Sequence, residues 1–182
     1  MRRSRDKLKK LDAIKMLVLD VDGVLTDGTI VVDSRGRESK FFAVLDGHGI
    51  KMWKRAGLKT AFLSGRKSGP TKQQAKELKV DYCLEGCRDK MACLRKLMRL
   101  SGLTTGEIAY VGDDLPDLPV IRNAGFGAAT ANAVGEVKKA ADYVTRRNGG
   151  EGAVREVIEY ILKKTGRWQS LMRKYLVDTD AV

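Results

Sequence analysis

Histidine is almost missing from this chain: it occurs once, as His48, beside three cysteines, Cys83, Cys87 and Cys93. A zinc site needs about four such ligands at short spacings, so zinc chemistry is not expected. The cysteines lie in or beside apolar segments and read as packed or half-exposed free thiols. No apolar run approaches the ~20 residues that cross a bilayer. The basic N-terminus lacks the apolar stretch of a secretory signal. A cytoplasmic protein with no membrane partner is the expectation. Internal repeats, low-complexity tracts and long linkers are missing too.

At 182 residues, 43% hydrophobic and 32% charged, the chain suits one domain with a real core. The net charge of +12 sits largely at the ends. Residues 1–15 hold seven Lys or Arg against Asp6 and Asp12. Lys163, Lys164, Arg167, Arg173 and Lys174 follow one another with no acid between. Nucleic acid is one partner such charge could serve. No RNP-like, zinc-finger or helix-turn-helix signature accompanies it. The reading adopted is solvated arms around a site that attracts anions, with no nucleic-acid partner. Residues 1–13 are taken as a basic arm, 14–164 as the catalytic domain with a hairpin at 28–43, and 165–182 as a tail.

Strand and helix signals alternate. Apolar runs at Lys15–Asp20, Lys59–Leu63, Tyr82–Leu84, Glu107–Val111, Phe126–Ala129 and Tyr143–Val144 read as strands. Helices are expected over His48–Arg55, Pro70–Leu78 and Asp89–Leu100, with a last one carrying the apolar stripe Val154, Val157, Ile158, Ile161 and Leu162. That alternation implies an α/β fold with a parallel sheet covered on both faces. One β-hairpin, Thr29–Val32 and Glu38–Phe42 around a Gly-containing loop, is inserted after the first strand.

The chemistry gathers where strands end. Asp20 and Asp22 follow the first strand, with Gly23 allowing a sharp turn; Ser64 follows the second and Asp113-Asp114 the fourth. Ligands of open α/β sheets bind beyond the carboxyl ends of the strands. Lys90, at the start of a helix, can point to the same edge. Two acids at the end of a buried strand are costly unless a cation or a reaction uses them. Phosphoryl transfer uses both. A carboxylate, Asp20, can attack phosphorus. Mg²⁺ and Lys90 offset the charge, and the Ser64 hydroxyl holds a phosphoryl oxygen. Asp22 can protonate the leaving oxygen and later activate water.

Four segments carry a resemblance: Asp20-Val21-Asp22-Gly23-Val24, Leu63-Ser64-Gly65-Arg66, Asp89-Lys90, and Gly112-Asp113-Asp114-Leu115-Pro116-Asp117. Together they resemble the haloacid dehalogenase (HAD) superfamily of phosphatases. The resemblance implies a three-layer Rossmann-like fold, Asp20 as nucleophile and Asp22 as general acid and base. It also implies Mg²⁺ held by the Asp20 side chain, the Asp22 carbonyl and Asp113, with Asp114 in support. Thr26-Asp27-Gly28, Asp46-Gly47-His48-Gly49-Ile50 and Gly149-Gly150-Glu151-Gly152-Ala153-Val154 are similar to the capless 3-deoxy-D-manno-octulosonate 8-phosphate (KDO 8-phosphate) phosphatases. That implies a KDO 8-phosphate hydrolase of lipopolysaccharide precursor synthesis. Substrate contacts would come from Asp46, Gly47, Lys51, Arg66 and Asp114 besides Asp22 and Lys90.

The same resemblance implies a homotetramer whose hairpins form a barrel and whose neighbouring subunit helps cover each site. Ile30, Val32, Phe41 and Phe42 give the hairpin an apolar face suited to that. The sequence departs from the octulosonate pattern at Leu45, Lys51, Gln74 and Glu151, where arginine is usual. Lysine or glutamine does not replace an arginine fork on a carboxylate. A phosphatase for a nine-carbon sugar acid 9-phosphate therefore stays open as an alternative. A non-enzymatic basic oligomerisation or nucleic-acid module is the remoter one, opposed by the full set of acids. His48 is not expected to be catalytic. Trp168, Leu171, Met172 and Tyr175 leave the tail either docked on a neighbour or without fixed structure.

Overall fold

The computed structural model describes residues 9–176. Four apolar residues in a row form β1 (Met16–Leu19), every side chain fully buried. The inserted hairpin follows as β2 (Val31–Val32) and β3 (Glu38–Ser39), antiparallel to each other. Then come α1 (Val44–Arg55), β4 (Lys59–Ser64), α2 (Gly69–Glu77), β5 (Tyr82–Glu85) and α3 (Lys90–Ser101). The second half runs β6 (Ile108–Gly112), α4 (Leu118–Asn123), β7 (Phe126–Ala129), α5 (Gly135–Ala140), β8 (Tyr143–Val144), α6 (Ala153–Lys164) and α7 (Arg167–Met172).

Six strands form one sheet in the order β5-β4-β1-β6-β7-β8, and every pairing is parallel. The chain moves outward from β1 through β4 to β5, then crosses back to β6 on the other flank of β1. The carboxyl end of β1 is therefore the switch point where such sheets hold ligands.

Side chains of a strand alternate between faces, and the core divides accordingly. Leu17, Leu19, Phe62, Ala109 and Val111 pack with Ile50 and Trp53 of α1 and the Val154–Leu162 stripe of α6. Met16, Val18, Ala61, Leu63 and Tyr110 pack with Leu94 and Leu97 of α3 and Val120 and Ile121 of α4. Three layers result, as expected. Asp89 caps α3 by accepting the Ala92 N–H, and Ser68 caps α2 by accepting that of Thr71.

Some local expectations need correction. α1 begins at Val44, four residues before the expected His48, so Asp46 lies in its first turn. The hairpin ladder is short, two residue pairs, because the chain after Ser39 turns Lys40 inward, away from the ladder. Cys87 and Cys93 are not free thiols. They form a disulfide, since α3 starts between them and brings their Cα atoms to 6.0 Å; Cys83 alone is free. Residues 1–8 of the basic arm lie outside the described residues. Residues 9–12 are helical, and Leu11 sits in the core at 1% exposure rather than in solvent. The tail docks on its own chain as far as residue 176. Trp168 and Leu171 pack against the first core layer, and the Arg55 guanidinium donates to the Tyr175 hydroxyl at 2.6 Å.

Candidate active site

Asp20 is placed by the sheet itself. Its N–H donates to the Val111 carbonyl at 3.0 Å, extending the β1–β6 ladder by one residue, and the side chain is 6% exposed. The next residues wind into a tight loop. Leu25 and Thr26 donate their N–H groups to the Val21 carbonyl, while the Thr26 hydroxyl accepts those of Gly23 and Gly28. Gly23 has φ +90°, and a Cβ there would lie 2.1 Å from the Asp113 Oδ2 atom. Only glycine fits both demands. Gly149 is under similar pressure: its Cβ would meet the Gly23 carbonyl oxygen at 1.8 Å. The Gly-Gly segment before α6 thus packs directly on the acid loop.

Lys90, the first residue of α3, reaches back under the sheet edge. Its ammonium lies 2.9 Å from Asp20 Oδ2 and 2.5 Å from Asp117 Oδ1. Asp117 is fully buried and uses both oxygens. Oδ1 accepts the Lys90 ammonium and the Tyr110 hydroxyl, and Oδ2 accepts the backbone N–H groups of Asp113 and Asp114. Burial alone would lower the Lys90 pKa, but Asp20 and Asp117 together raise it, so the ammonium stays charged. Tyr110 remains a protonated donor, its pKa pushed far up by burial and by Asp117.

The carboxylates are short of cation. Burial, then Asp117, raises the Asp20 pKa well above the usual range against the pull of Lys90. Asp113 is pushed up to about 6 by burial and Asp117. One of its oxygens, Oδ1, is buried with no hydrogen-bond partner. Carboxylate oxygens of Asp20, Asp113 and Asp117 lie within 4.8 Å of one another. With Asp117 fully engaged, Asp20 and Asp113 are the two side chains left to bind a hard divalent cation. An orphaned oxygen and raised acid pKa values suit Mg²⁺, which takes oxygen ligands and keeps several waters. The donor set fits the expected ion.

A cavity of about 480 Å³ opens over this cluster. It is lined by the acids Asp20, Asp22, Asp113 and Asp114, by the Lys90 ammonium, and by Gly65, Arg66, Cys87 and Arg88. Asp22 accepts the Lys40 ammonium, which is fully buried and lies 3.5 Å from Glu38 as well. Ser64 is at the predicted place, the end of β4, fully buried, its hydroxyl accepting the Arg66 N–H at 3.2 Å.

Three expected substrate contacts are not brought to this cavity within one chain. Asp46 is 1% exposed and caps α6, accepting the N–H groups of Gly152 at 3.2 Å and Arg155 at 2.8 Å. Gly47 and Lys51 line a separate cavity of about 320 Å³ with His48 and Gln74. Four other residues stand at this site that sequence reasoning missed. Asp117 stood inside the quoted motif, its role unassigned. Glu38 and Lys40 are two apart in a strand-like segment, so one face of it could have been read as turned to the acids. Arg88 gave no signal beyond its nearness to Lys90.

A haloacid dehalogenase-like hydrolase signature matches residues 84–158. The 3-deoxy-D-manno-octulosonate 8-phosphate phosphatase KdsC of Escherichia coli (strain K12) is 38% identical over 164 residues, 90% of this chain and 87% of that protein. The chain belongs to this phosphatase family. Solved structures agree with the assignment. The KDO 8-phosphate phosphatase of Moraxella catarrhalis, in complex with magnesium, phosphate and KDO, superposes with a TM-score of 0.90 at 38% identity, covering 94% of this chain and 98% of that one. The cobalt-bound phosphatase YrbI of Haemophilus influenzae gives 0.83 at 41% identity, covering 86% and 92%. The family likeness spans the whole sheet, so the three-layer HAD architecture holds across the described fold.

Proposed function

We propose that this chain is a Mg²⁺-dependent phosphoric monoester hydrolase that converts KDO 8-phosphate to KDO and phosphate. The observation that carries the proposal is the cluster at the end of β1: a buried nucleophile, its lysine, and an acid oxygen left without a partner. When bound, Mg²⁺ would be held by Asp20, the Asp22 carbonyl and Asp113 and would neutralise phosphate charge.

The residues then divide the labour. An Asp20 oxygen attacks phosphorus, and the ester P–O bond breaks to leave an aspartyl phosphate. Asp22 gives its proton to the departing sugar oxygen. Lys40 occupies Asp22 Oδ1 in the free chain, which leaves Oδ2 to carry the proton. Asp22 next takes a proton from water, whose oxygen adds to phosphorus and releases Asp20 with free phosphate. Lys90, fixed by Asp117, holds positive charge against the transferring group. Ser64 adds a hydrogen bond to a phosphoryl oxygen, and Arg66 and Asp114 contact substrate at the cavity wall.

Gly47 and Lys51 find a role across a subunit boundary in a homotetramer, and Asp46 supports that wall by holding α1 to the start of α6. Exposed Val44 lines the same cavity as Gly47 and Lys51, with exposed Phe41 and Leu45 near it in sequence, and a neighbour seated there would bring that wall to a second site. No helix among the described residues is long and apolar enough to cross a membrane. We place the enzyme in the cytoplasm, where sugar-acid precursors of lipopolysaccharide are made. Leu45 and Glu151, standing where octulosonate phosphatases usually have arginine, favour one second reading, a nine-carbon sugar acid 9-phosphate.

The deciding experiment is phosphate release by the purified full chain with Mg²⁺, comparing KDO 8-phosphate, nine-carbon sugar-acid 9-phosphates and simple sugar phosphates. The proposal expects KDO 8-phosphate to give the highest kcat/KM. A preference for the nine-carbon series selects the second reading. No release from any sugar-acid phosphate defeats both.

A further inference from the structure

Arg88 stands in the loop between β5 and α3, two residues before Lys90, and lines the catalytic cavity. Among the described residues its guanidinium makes no hydrogen bond or ion pair. The neighbouring acids are all taken. Glu85 accepts the Ser68 N–H at 2.8 Å and faces Lys72; Asp89 accepts the Ala92 N–H and lies 3.8 Å from Arg95. The arginine is thus left without a protein anion, beside a site whose substrate is an anion.

Its backbone is firmly held. The Cys87 N–H donates to the Ser64 carbonyl at 3.0 Å, Cys87 is tied to Cys93, and Asp89 is the N-cap of α3. A flexible surface arginine would lose much rotamer freedom on binding, and an anchored loop reduces the backbone part of that cost. Arg66 lines the same cavity from the β4 side, with its guanidinium 3.9 Å from Glu38. Lys90 and Asp20 define where the phosphate sits. A planar donor fork lining the same cavity matches the planar carboxylate of a sugar acid better than it matches a neutral hydroxyl.

We infer that Arg88 is a specificity-determining residue of this active site, binding the carboxylate of the sugar acid from within the same chain. The inference rests on the sugar-acid phosphatase reading above and supplies an arginine that Leu45, Lys51, Gln74 and Glu151 do not.

The test uses the full-length chain with Mg²⁺ and the variants Arg88→Met and Arg88→Lys. Two substrates are compared, KDO 8-phosphate and the carboxylate-free p-nitrophenyl phosphate, and free KDO is tested as an inhibitor of the second. A charge-assisted hydrogen-bond pair is worth roughly 10- to 100-fold in binding. Arg88→Met should therefore lower kcat/KM for KDO 8-phosphate about 30-fold or more beyond any loss on p-nitrophenyl phosphate, chiefly through KM. The inhibition constant of KDO should rise by a similar factor, and Arg88→Lys should recover part of both. Equal losses on the two substrates would mean a phosphate contact and overturn the inference. So would unchanged kinetics on KDO 8-phosphate. A wild-type chain that cleaves p-nitrophenyl phosphate but no sugar-acid phosphate defeats the parent reading instead, and the inference with it. Matching melting temperatures confirm that the variants fold.

Discussion

The acid cluster and the hairpin are neighbours in sequence and opposites in construction. Asp20, Lys90 and Asp117 are buried at the end of a six-stranded sheet, and Lys90 pairs with both acids. The hairpin has two-residue strands, and Val32 and Phe41 face solvent, 56% and 77% exposed, while Phe42 packs on the chain's own core. A two-stranded ribbon of that size is marginal alone. Within one chain the acid cluster is assembled, whereas Val32 and Phe41 of the hairpin segment are left uncovered. Lys40 joins the two regions, since it leaves the hairpin to reach Asp22. The contrast teaches that reaction and enclosure are separable, and they should fail separately.

The largest break is Asp20→Asn. It removes the nucleophile, and phosphate release should fall by about 10⁴ or more. Burial and Asp117 already oppose the charge on Asp20, so the melting temperature of the metal-free protein should hold or rise. Activity retained within tenfold would remove Asp20 from the nucleophile's role. Asp117→Asn tests the cluster as a unit. The change weakens the hold on Lys90, Tyr110 and two backbone N–H groups. Breaking such a buried pair costs about 3 kcal/mol, measurable by urea unfolding, and kcat should fall with KM little changed. A variant as stable and as fast as the parent would show that the cluster is not cooperative.

The hairpin is broken differently. Phe41→Ser with Val32→Ser should leave the urea midpoint of the sheet nearly unchanged, because neither residue belongs to the core. The sedimentation coefficient should drop toward that of a monomer, with activity lost on dilution. An unchanged assembly would show that the exposed face packs elsewhere. The expected result sharpens the contrast: one region loses rate and stability at any concentration, the other loses association and, with it, activity on dilution.

Much of both regions was legible in the sequence, for different reasons. β1 announced itself because four apolar residues in a row suit a strand covered on both faces, and Asp20, Ser64 and Asp113 followed as strand ends. The role of Asp117 was hidden because its partners come from β6, from α3 and from its own turn, a convergence only the fold creates. Lys40 was hidden because a lysine in a hairpin is ordinarily a solvated edge charge. Asp46 was expected at the substrate through the resemblance alone, and its place as the cap of α6 across the core depends on a contact between distant segments that the sequence does not display. The cysteine pairing was hidden although the expected helix start already fell between Cys87 and Cys93, because a spacing of six residues does not fix the 6.0 Å Cα separation that the loop before α3 creates.

The smallest effect comes from comparing the two ends of β6. Asp113 follows the strand in a buried site, and burial with Asp117 lifts its pKa to about 6. Glu107 precedes it at the surface, where the Lys15 ammonium and the Thr104 N–H and hydroxyl lower its pKa to about 2. The signs are opposite. A raised acid pKa means the folded metal-free protein binds that proton more tightly than the unfolded chain. Its ionisation therefore opposes folding at neutral pH, and the penalty lifts as pH falls from about 6 toward 3.8. A lowered pKa means Glu107 contributes stability above about 4.5, lost as pH falls toward 2. Melting curves of the metal-free protein should show Asp113→Asn more stable than the parent at pH 7.5, with the gap closing by pH 4. Glu107→Gln should be slightly less stable at pH 6, with its gap closing only near pH 2. A surface acid contributes little even when well bonded, so the Glu107 gap should be the narrower. Two gaps of the same sign would mean that Asp113 is already satisfied by protein groups, and the case for a cation at this strand end would lose its physical basis.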